Sequence, residues 1–339
     1  MRYFIALVSV LSLSACMEDF YVLEEACDDS VPGDKNVSND AAVATFLRTN
    51  CYRRLVKLGP ARINTQIQEA AENHILYLVS NEFDLDFANG VGAEEPGQLN
   101  FTGADVYDRL EHTGYPGVDR NSMGVWEWRF IDPEEAAARV DFWFPDPFAR
   151  QAFLQPSWVG GGYDEGSSDP SISNTAYMTI FYANPVTEAS GQPVIYPKDG
   201  QTGVPTRFVP VDPSRVIYEY GETGYPISVT VGSTVNSSGS NPHGIELHNV
   251  RLTGPNGELE LHTETPADGQ LLFTMGFYPV LPLEPGVEYD FYVKMSWDNN
   301  EDREFTTTFR TGADGDGLPA RIAPPRHMPQ LTHRYIPLP

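Results

Sequence analysis

Lysine is scarce in this sequence, and the scarcity excludes one class of partner. Acidic residues outnumber basic residues by 47 to 22, which gives a formal net charge of −25 over 339 residues. Only four of the basic residues are lysines. Nucleic acids are bound through basic patches, because the phosphate backbone supplies most of the affinity. We therefore predict that nucleic acid is not a partner of this protein.

Cysteine is rarer still, with three residues in all. No Cys-x-x-Cys pair occurs, which excludes a zinc ribbon and a thiol redox motif. If Cys16 is the lipidation site that the N-terminus indicates (below), Cys27 and Cys51 are the only two cysteines left, and they form a candidate pair. Export would permit a disulfide between them, and we expect that bridge; two buried free thiols are the alternative.

The sequence also lacks the common catalytic motifs. It has no Gly-x-Ser-x-Gly, no His-Glu-x-x-His and no Gly-x-x-x-x-Gly-Lys-Ser/Thr phosphate loop. A hydrolase needs a nucleophile that is activated by a base, or an activated water molecule. The sequence therefore indicates no catalytic residue.

The N-terminus has the features of an export signal. A short positive start precedes an apolar run over residues 3–13, which is too short to span a bilayer because spanning needs roughly 20 residues. We predict a signal peptide over residues 1–15. Leu13-Ser14-Ala15-Cys16 resembles the bacterial lipobox, whose cysteine is acylated and becomes the mature N-terminus; a chance cysteine is the alternative. Met17 and Glu18, which follow Cys16, lack the aspartate that typically retains such lipoproteins at the inner membrane, and this favours the outer membrane or cell surface.

The texture of the chain changes near residue 191. Before it, apolar residues recur every three or four positions, which predicts helices with a small sheet, and hence an α+β domain. After it, short alternating segments are separated by turns, which is typical of an all-β sandwich. The predicted parts are a lipid-anchored acidic tether (16–37), an α+β domain (38–190), a β-sandwich (191–312) and a disordered tail (313–339).

Capping signals and periodicity predict the individual elements. Helices are expected from Ser38 or Asn39 to about 58, over 65–80, from a capping box at Thr102, over 132–144 and over 146–154. Strands are expected at 157–163 and 176–183 in the first half, and at 227–231, 246–252, 271–275, 289–295 and 305–310 in the second.

Four motifs stand in a fixed order along the first half. They are Asn50, Arg53, Gly59 and Pro60; then Ala70, Ala71 and His74; then Phe101-Thr102-Gly103 with Arg109 and Gly114-Tyr115; then Asp146-Pro147 with the residues 159–162 (VGGG). Together they resemble the CAP superfamily, the cysteine-rich secretory protein and pathogenesis-related protein domain, in its bacterial form. The resemblance implies an α-β-α sandwich with a surface cleft.

The resemblance fails at the positions that would hold a metal ion. The cleft of that family usually contains two histidines and two glutamates, a set that suits a divalent metal. The first histidine is expected within residues 81–86, which contain none, and the second is replaced by Ala149 before Arg150. Glu127 is left as the cleft carboxylate. We therefore predict no metal, and a ligand cleft formed by Asp84, Asp86, Trp126 and Glu127.

Other readings of the polar residues stay open. His74 is expected to be a packed, hydrogen-bonded core residue, and His112 to be exposed. Calcium would be favoured over zinc if the acidic side chains crowded the cleft, because calcium prefers oxygen ligands. A metal would be held in the second half if three histidines met on one sheet face. The acidic set is Asp84, Asp86, Glu94, Glu95 and Glu127; the histidines are His243, His248 and His262.

The second half resembles a bacterial immunoglobulin-like or fibronectin type III-like module. The likeness rests on residues 196–200 (YPKDG), 202–205 (TGVP) and 305–311, and on a corner formed by Leu283, Pro285, Gly286 and Tyr289. The resemblance implies that the Tyr289 hydroxyl ties its strand to an upstream backbone group. These residues are expected to be structural.

These features lead to one expected function. It is a non-catalytic, extracytoplasmic lipoprotein that is attached to a membrane through Cys16 and carries a CAP-like ligand-binding or interaction domain. Aromatic residues between 126 and 153 are expected mainly to fill the core, with a few lining the cleft for an apolar, lipid or glycan ligand. A divalent-metal-dependent envelope hydrolase is the alternative, and the missing histidines argue against it.

Overall fold

The computed structural model describes residues 21–27, 40–81, 94–116, 125–129, 136–154, 160–161, 177–181, 192–210, 216–231, 244–268, 271, 273–297 and 301–313. It is a mixed α+β structure, with the helices in the first half of the chain and most strands in the second. Several predicted features lie outside the described residues, namely Cys16, Asp84, Asp86, His243 and the tail from residue 314.

Five α-helices are described, and none is long and apolar enough to cross a membrane. Asp146 begins the last of them by accepting a hydrogen bond from the backbone N–H of Phe148, as its position before Pro147 predicts. Asn64 caps the second in the same way through the N–H groups of Gln66 and Ile67. The helices are α1 (Asp40–Leu55), α2 (Thr65–Ser80), α3 (Val106–His112), α4 (Ala136–Trp143) and α5 (Pro147–Phe153).

The predicted start of the third helix is wrong by three residues. Asp105, not Thr102, is the N-cap of α3, and its carboxylate accepts from the N–H groups of Tyr107 and Asp108. Thr102 does not cap because its own N–H and hydroxyl point to Glu94 instead. The tertiary contact with Glu94 thus uses the hydrogen-bonding groups of Thr102, which the local pattern had assigned to the helix cap.

The described strands of the first half form two small pairs. The predicted strands at 157–163 and 176–183 are both present within the described residues, and each pairs with a segment that was not predicted as a strand. The parallel pair is β1 (Arg62–Ile63) with β3 (Gly160–Gly161), and the antiparallel pair is β2 (Val125–Arg129) with β4 (Tyr177–Phe181).

The second half contains a five-stranded and a four-stranded sheet. All five predicted strands occur, although the third begins at Thr274 rather than 271 because its ladder to β9 starts there. The five-stranded order is β11 (Gly257–Leu259), β10 (Glu246–Gly254), β14 (Glu288–Ser296), β15 (Arg303–Thr311) and β6 (Gln201–Val204). The four-stranded order is β12 (Leu261–Glu264), β13 (Thr274–Pro279), β9 (Ile227–Thr230) and β5 (Val194–Tyr196), and β7 (Arg207–Phe208) pairs with β8 (Thr223–Gly224).

The two larger sheets share a hydrophobic core. Buried and less buried residues alternate along β14, as expected for a strand with one face turned inward. Phe291 of β14 and Phe277 of β13 are fully buried, and their ring centroids lie 5.3 Å apart. Tyr289 also accepts a hydrogen bond at its hydroxyl from the backbone N–H of Glu284, at 2.8 Å, which is the contact implied by the resemblance.

The same hydrophobic core continues into the helical part. Tyr52 of α1 stacks on Phe144 with 3.5 Å between ring centroids, and Phe144 meets Tyr196 of β5 edge-on at 4.8 Å. The expectation that the dense aromatics fill the core is confirmed for Phe144, Phe148 and Phe153, which are all buried. Helices and sheets are thus joined by apolar packing.

A disulfide joins Cys27 to Cys51 on α1. Replacing both cysteines by serine is expected to lower the free energy of unfolding by about 3 kcal/mol, because the bridge closes a loop with a sequence separation of 24 and so restricts the unfolded chain. Urea unfolding of the oxidised protein and of the double variant measures this difference. A double variant that equals the oxidised wild type would contradict the stabilising role of the bridge.

Candidate functional site

Three ionisable side chains meet in the interior of the helical part. His74 on α2 has its Nδ1 atom 2.9 Å from Oε1 of Glu94, and Nη1 of Arg109 on α3 lies 3.9 Å from the same oxygen. All three side chains are 0% exposed. The prediction that His74 is a packed, hydrogen-bonded core residue is therefore confirmed.

The second oxygen of Glu94 is bound by the backbone. Oε2 accepts from the N–H of Thr102 at 2.7 Å and from the N–H of Gly103 at 3.2 Å. Burial alone raises the pKa of Glu94, but the hydrogen bonds from His74 and Thr102 and the charge of Arg109 together hold the pKa below its ordinary value of 4.5. Glu94 is thus an ionised carboxylate whose lone pairs are taken by protein donors.

This arrangement argues against the alternative in which Glu94 belongs to an acidic cluster in an open cleft. The neighbouring Glu95 is exposed, but Glu94 points inward, where it hydrogen-bonds to buried His74 and supplies a negative charge near buried Arg109. A general acid or base must come within hydrogen-bond reach of a substrate. These three residues, His74, Glu94 and Arg109, are called here the buried ionic cluster. Their side chains have no solvent-exposed surface, and they link α2 to α3.

Gly103 packs closely against the first turn of α3. A Cβ atom at this position would lie 2.6 Å from the backbone nitrogen of Arg109 and 2.6 Å from Cβ of Asp108. The glycine of the Phe101-Thr102-Gly103 motif is therefore required by close packing against the first turn of the helix.

Gly103→Ala is expected to lower the free energy of unfolding by about 1 to 3 kcal/mol, because the added methyl group forces the backbone of residues 102–109 apart. Thermal and urea unfolding measure the loss. Gly59→Ala is the matched control, since a Cβ atom there would meet nothing within 4 Å. The carbonyl group of residue 59 would still accept the hydrogen bond from Arg53. Equal stability of the two variants would refute the steric argument.

The motif at the end of α1 also serves the scaffold. Asn50 exchanges two hydrogen bonds with the backbone of Ala61, and Arg53 donates to the carbonyl groups of Gly59 and Phe153. Arg53 is 1% exposed. These contacts close the turn between α1 and β1 and attach it to the end of α5, so the N-x-x-R pattern is explained without a ligand.

Arg150 on α5 joins the helical part to the four-stranded sheet. Its guanidinium group donates to the carbonyl groups of Phe144 and Pro145 on one side, and to the carbonyl of Pro226 and the hydroxyl of Ser228 on the other. The side chain is 0% exposed. Its Cζ atom also lies near the faces of three aromatic rings, those of Phe144, Tyr196 and Tyr225.

Asp141 on α4 forms a second buried polar contact. Its Oδ1 atom accepts from Nε of Arg48 and from the hydroxyl of Tyr52, at 2.8 Å. Burial first, and then the negative charge of Asp141, raise the pKa of Tyr52 well above its ordinary value. Tyr52 is therefore a neutral hydrogen-bond donor that links α1 to α4, not a group that exchanges protons.

The structure places only part of the predicted cleft. Trp126 and Glu127 are on β2, in register with Ile180 and Thr179 of β4. Ala149, which stands in place of the second expected histidine, is buried on α5. His112 is exposed at the end of α3, as predicted. Asp84 and Asp86 lie outside the described residues, so the composition of the cleft stays a prediction.

Sequence reasoning missed one arrangement that looks like a hydrolytic triad. His248 on β10 has its Nε2 atom 2.9 Å from the hydroxyl of Ser296 and 3.1 Å from Oδ1 of Asp302. A triad needs the serine and the carboxylate on opposite ring nitrogens, so that one nitrogen takes the proton while the other is oriented. Here both contact the same nitrogen, and Lys294 also binds Asp302, so the group is a surface polar cluster. No spacing in the sequence signals it.

The histidines of the second half do not form a shared site in the described structure. His262 is on β12 of the four-stranded sheet and stacks on Tyr220 at 3.8 Å, whereas His248 is on the five-stranded sheet. Among the described residues, no three His, Cys, Asp or Glu side chains stand close enough together to hold a metal ion.

Comparison with known proteins adds no family assignment. No protein-family model matches the chain, and no curated protein matches it significantly.

Proposed function

We propose that this protein is an exported lipoprotein, anchored through Cys16 at the outer membrane or cell surface, whose CAP-like domain binds a ligand without catalysing a reaction. In this proposal the helical part is an α-β-α sandwich, and the part from residue 191 is an immunoglobulin-like sandwich. The domain presents its cleft outside the membrane.

One observation carries the non-catalytic assignment. His74, the histidine of the motifs of the resemblance, is buried and bonded within the protein to Glu94. Arg53, Arg109 and Arg150 are likewise buried, and each makes internal contacts. His74 and Glu94, which could perform acid–base chemistry at an exposed site, therefore act as scaffold, and in this proposal the cleft is a surface for binding.

Two further observations support the proposal. The disulfide between Cys27 and Cys51 suits an oxidising compartment outside the cytoplasm. The five-stranded and four-stranded sheets, whose strands are mostly antiparallel, share a core, as in an immunoglobulin-like sandwich. The hydrogen bond from the Glu284 N–H to the Tyr289 hydroxyl is also consistent with that fold.

The proposed ligand is an apolar or glycan-containing component of the cell envelope. The strongly negative charge disfavours anionic molecules as ligands. The aromatic residues of the predicted cleft, Trp126 above all, would supply a flat apolar surface for an acyl chain or a sugar ring.

The test begins with acylation. Cells that express the wild type or Cys16→Ser are fed an alkyne-tagged fatty acid, and the protein is then purified from membranes and soluble fractions. The wild type is expected to carry the tag and to fractionate with membranes, whereas Cys16→Ser carries no tag. An untagged wild type would overturn the anchor.

Native mass spectrometry of the tagged protein from its own host then tests the binding function. A retained lipid or glycan of defined mass, reduced in Trp126→Ala, is the expected result. A stoichiometric metal ion whose removal by a chelator lowers the melting temperature and abolishes hydrolysis would instead establish the envelope hydrolase. Absence of any retained molecule together with no binding to a lipid and glycan panel would contradict ligand binding.

A further inference from the structure

The segment that follows the proposed acylation site is packed onto the folded protein. Residues 21–27, here called the strap, were expected to belong to an irregular tether, but they include a 3₁₀ helix, Glu24–Ala26, and Ala26 is only 1% exposed. The expectation missed this contact because the segment has no periodicity of its own. Its partners lie elsewhere in the chain.

The first residue of the strap binds the edge of the five-stranded sheet. The carbonyl of Tyr21 accepts from the N–H of Thr202 on β6 at 2.9 Å. The Nζ atom of Lys198 lies 4.8 Å from the centroid of the Tyr21 ring, which is a cation–π contact. Two independent interactions thus hold Tyr21 on the sheet.

Gly200 makes room for the Tyr21 ring. A Cβ atom at Gly200 would lie 2.7 Å from the ring, and the φ angle of +74° is one that favours glycine. The turn itself is fixed, because Gly200 donates to the carbonyl of Thr308 and Asp199 accepts from the N–H of Thr308. Tyr21 therefore rests on a rigid part of the sheet.

The last residues of the strap bind α1. Cys27 is joined to Cys51 by the disulfide, Nη1 of Arg54 donates to the carbonyl of Ala26 at 3.3 Å, and Arg48 lies 4.0 Å from Glu24. The strap thus connects β6 to α1 and is fastened at both ends, covalently at one of them.

We propose that the strap fixes how the protein stands on its membrane, with the surface around Tyr21, Thr202 and Asp290 facing the bilayer. The inference rests on the proposed acylation of Cys16. Five peptide links separate Cys16 from Tyr21, and a fully extended chain spans at most about 18 Å over that distance. A free tether over residues 16–37 would reach about 75 Å and would impose no orientation. The partner of this surface is therefore the lipid headgroup layer.

Distance to the membrane tests the orientation directly. The acylated full-length protein leaves no free thiol if Cys16 is lipidated and Cys27 is bridged, so a single introduced cysteine takes a donor fluorophore. Thr202→Cys and, as a second near probe, Asp290→Cys are both exposed positions next to the strap contacts. Gln98→Cys is the comparison probe, since it is exposed on the segment that hydrogen bonds between Asn81 and Leu99 hold to the end of α2.

The labelled proteins are bound to phosphatidylcholine vesicles that contain acceptor-labelled headgroups. Energy transfer from the Thr202 and Asp290 probes is expected to exceed transfer from the Gln98 probe by roughly twofold or more, given the short tether. Inserting about 20 Gly-Ser residues between Asp19 and Phe20 adds roughly 25 Å of reach and is expected to abolish the difference.

The outcomes separate this inference from the function on which it rests. Equal energy transfer from the Thr202, Asp290 and Gln98 probes on an acylated, vesicle-bound protein would overturn the orientation and leave the anchor intact. A difference that survives the insertion would also overturn it, because the strap would then not set the orientation. A protein that is not acylated and does not bind vesicles would overturn both.

Discussion

Glu94→Ala is expected to lower the free energy of unfolding by about 3 to 5 kcal/mol, one of the two largest effects of any single substitution considered. The variant removes the carboxylate that hydrogen-bonds to His74 and pairs with the charge of Arg109, and both of these side chains are 0% exposed. It also leaves the N–H groups of Thr102 and Gly103 without the carboxylate oxygen that they now share. Buried donors without an acceptor cost free energy, and a buried charge without its partner costs more.

The measurement is equilibrium urea unfolding near neutral pH, with Glu95→Ala as the matched control. Glu95 is the adjacent residue, has the same side chain and is exposed, so its substitution is expected to change stability by less than about 0.5 kcal/mol. A small and equal effect of both variants would show that the buried ionic cluster contributes nothing to the fold.

Arg150→Met is expected to cost a similar amount, about 3 to 5 kcal/mol. Methionine fills much of the same volume but donates no hydrogen bond, so the carbonyl groups of Phe144, Pro145 and Pro226 lose their buried donor. The favourable contacts of the guanidinium group with Tyr196 and Tyr225 are lost as well.

Arg150→Lys separates the charge from the geometry. Lysine keeps the positive charge, but it cannot reproduce the planar fork that reaches the carbonyl groups of Phe144 and Pro145 before α5 and the acceptors of Pro226 and Ser228 at β9, so little rescue is expected. Urea unfolding of both variants is compared with that of Arg62→Met, an exposed arginine on β1. Full rescue by lysine would show that charge alone matters, and a neutral Arg150→Met would contradict the role of Arg150 in joining helices to sheet.

Local signals predicted the elements well where the capping residue has no competing partner. Residues 65–80 were predicted as a helix and α2 has those bounds, and Asp146-Pro147 begins α5 as expected. Thr102 shows the limit, because its hydrogen-bonding groups are used by Glu94 and the helix begins at the next carboxylate along the chain. A capping pattern cannot show that a tertiary partner competes for it.

The buried ionic cluster was predicted in part. The inward position of His74 on a helical face predicted burial, and a buried histidine needs a partner, but the sequence did not show which residue provides it. Glu94 is 20 residues away, in a stretch that reads as an ordinary acidic surface loop. The signal available was its position shortly before the Phe101-Thr102-Gly103 motif, whose backbone N–H groups bind it.

The strap could not be predicted, because its contacts span most of the chain. Tyr21 meets Lys198, Gly200 and Thr202, and nothing in the seven residues of the segment indicates a packed structure. The expected two-part organisation likewise gave no hint that Arg150 on α5 donates to Pro226 and Ser228 on the sheet. Contacts between distant segments depend on the assembled fold.

The claim that the ionisable interior is scaffold is tested most directly by the pH dependence of unfolding in the wild type and in Glu94→Gln. The folded state holds the pKa of Glu94 below 4.5, so its ionised form stabilises the protein above that pH, and the stabilisation is lost as the pH falls through the folded pKa. The difference in unfolding free energy between wild type and variant is therefore expected to shrink as the pH falls through and below 4.5. A difference that stays constant or grows over that range would contradict the account.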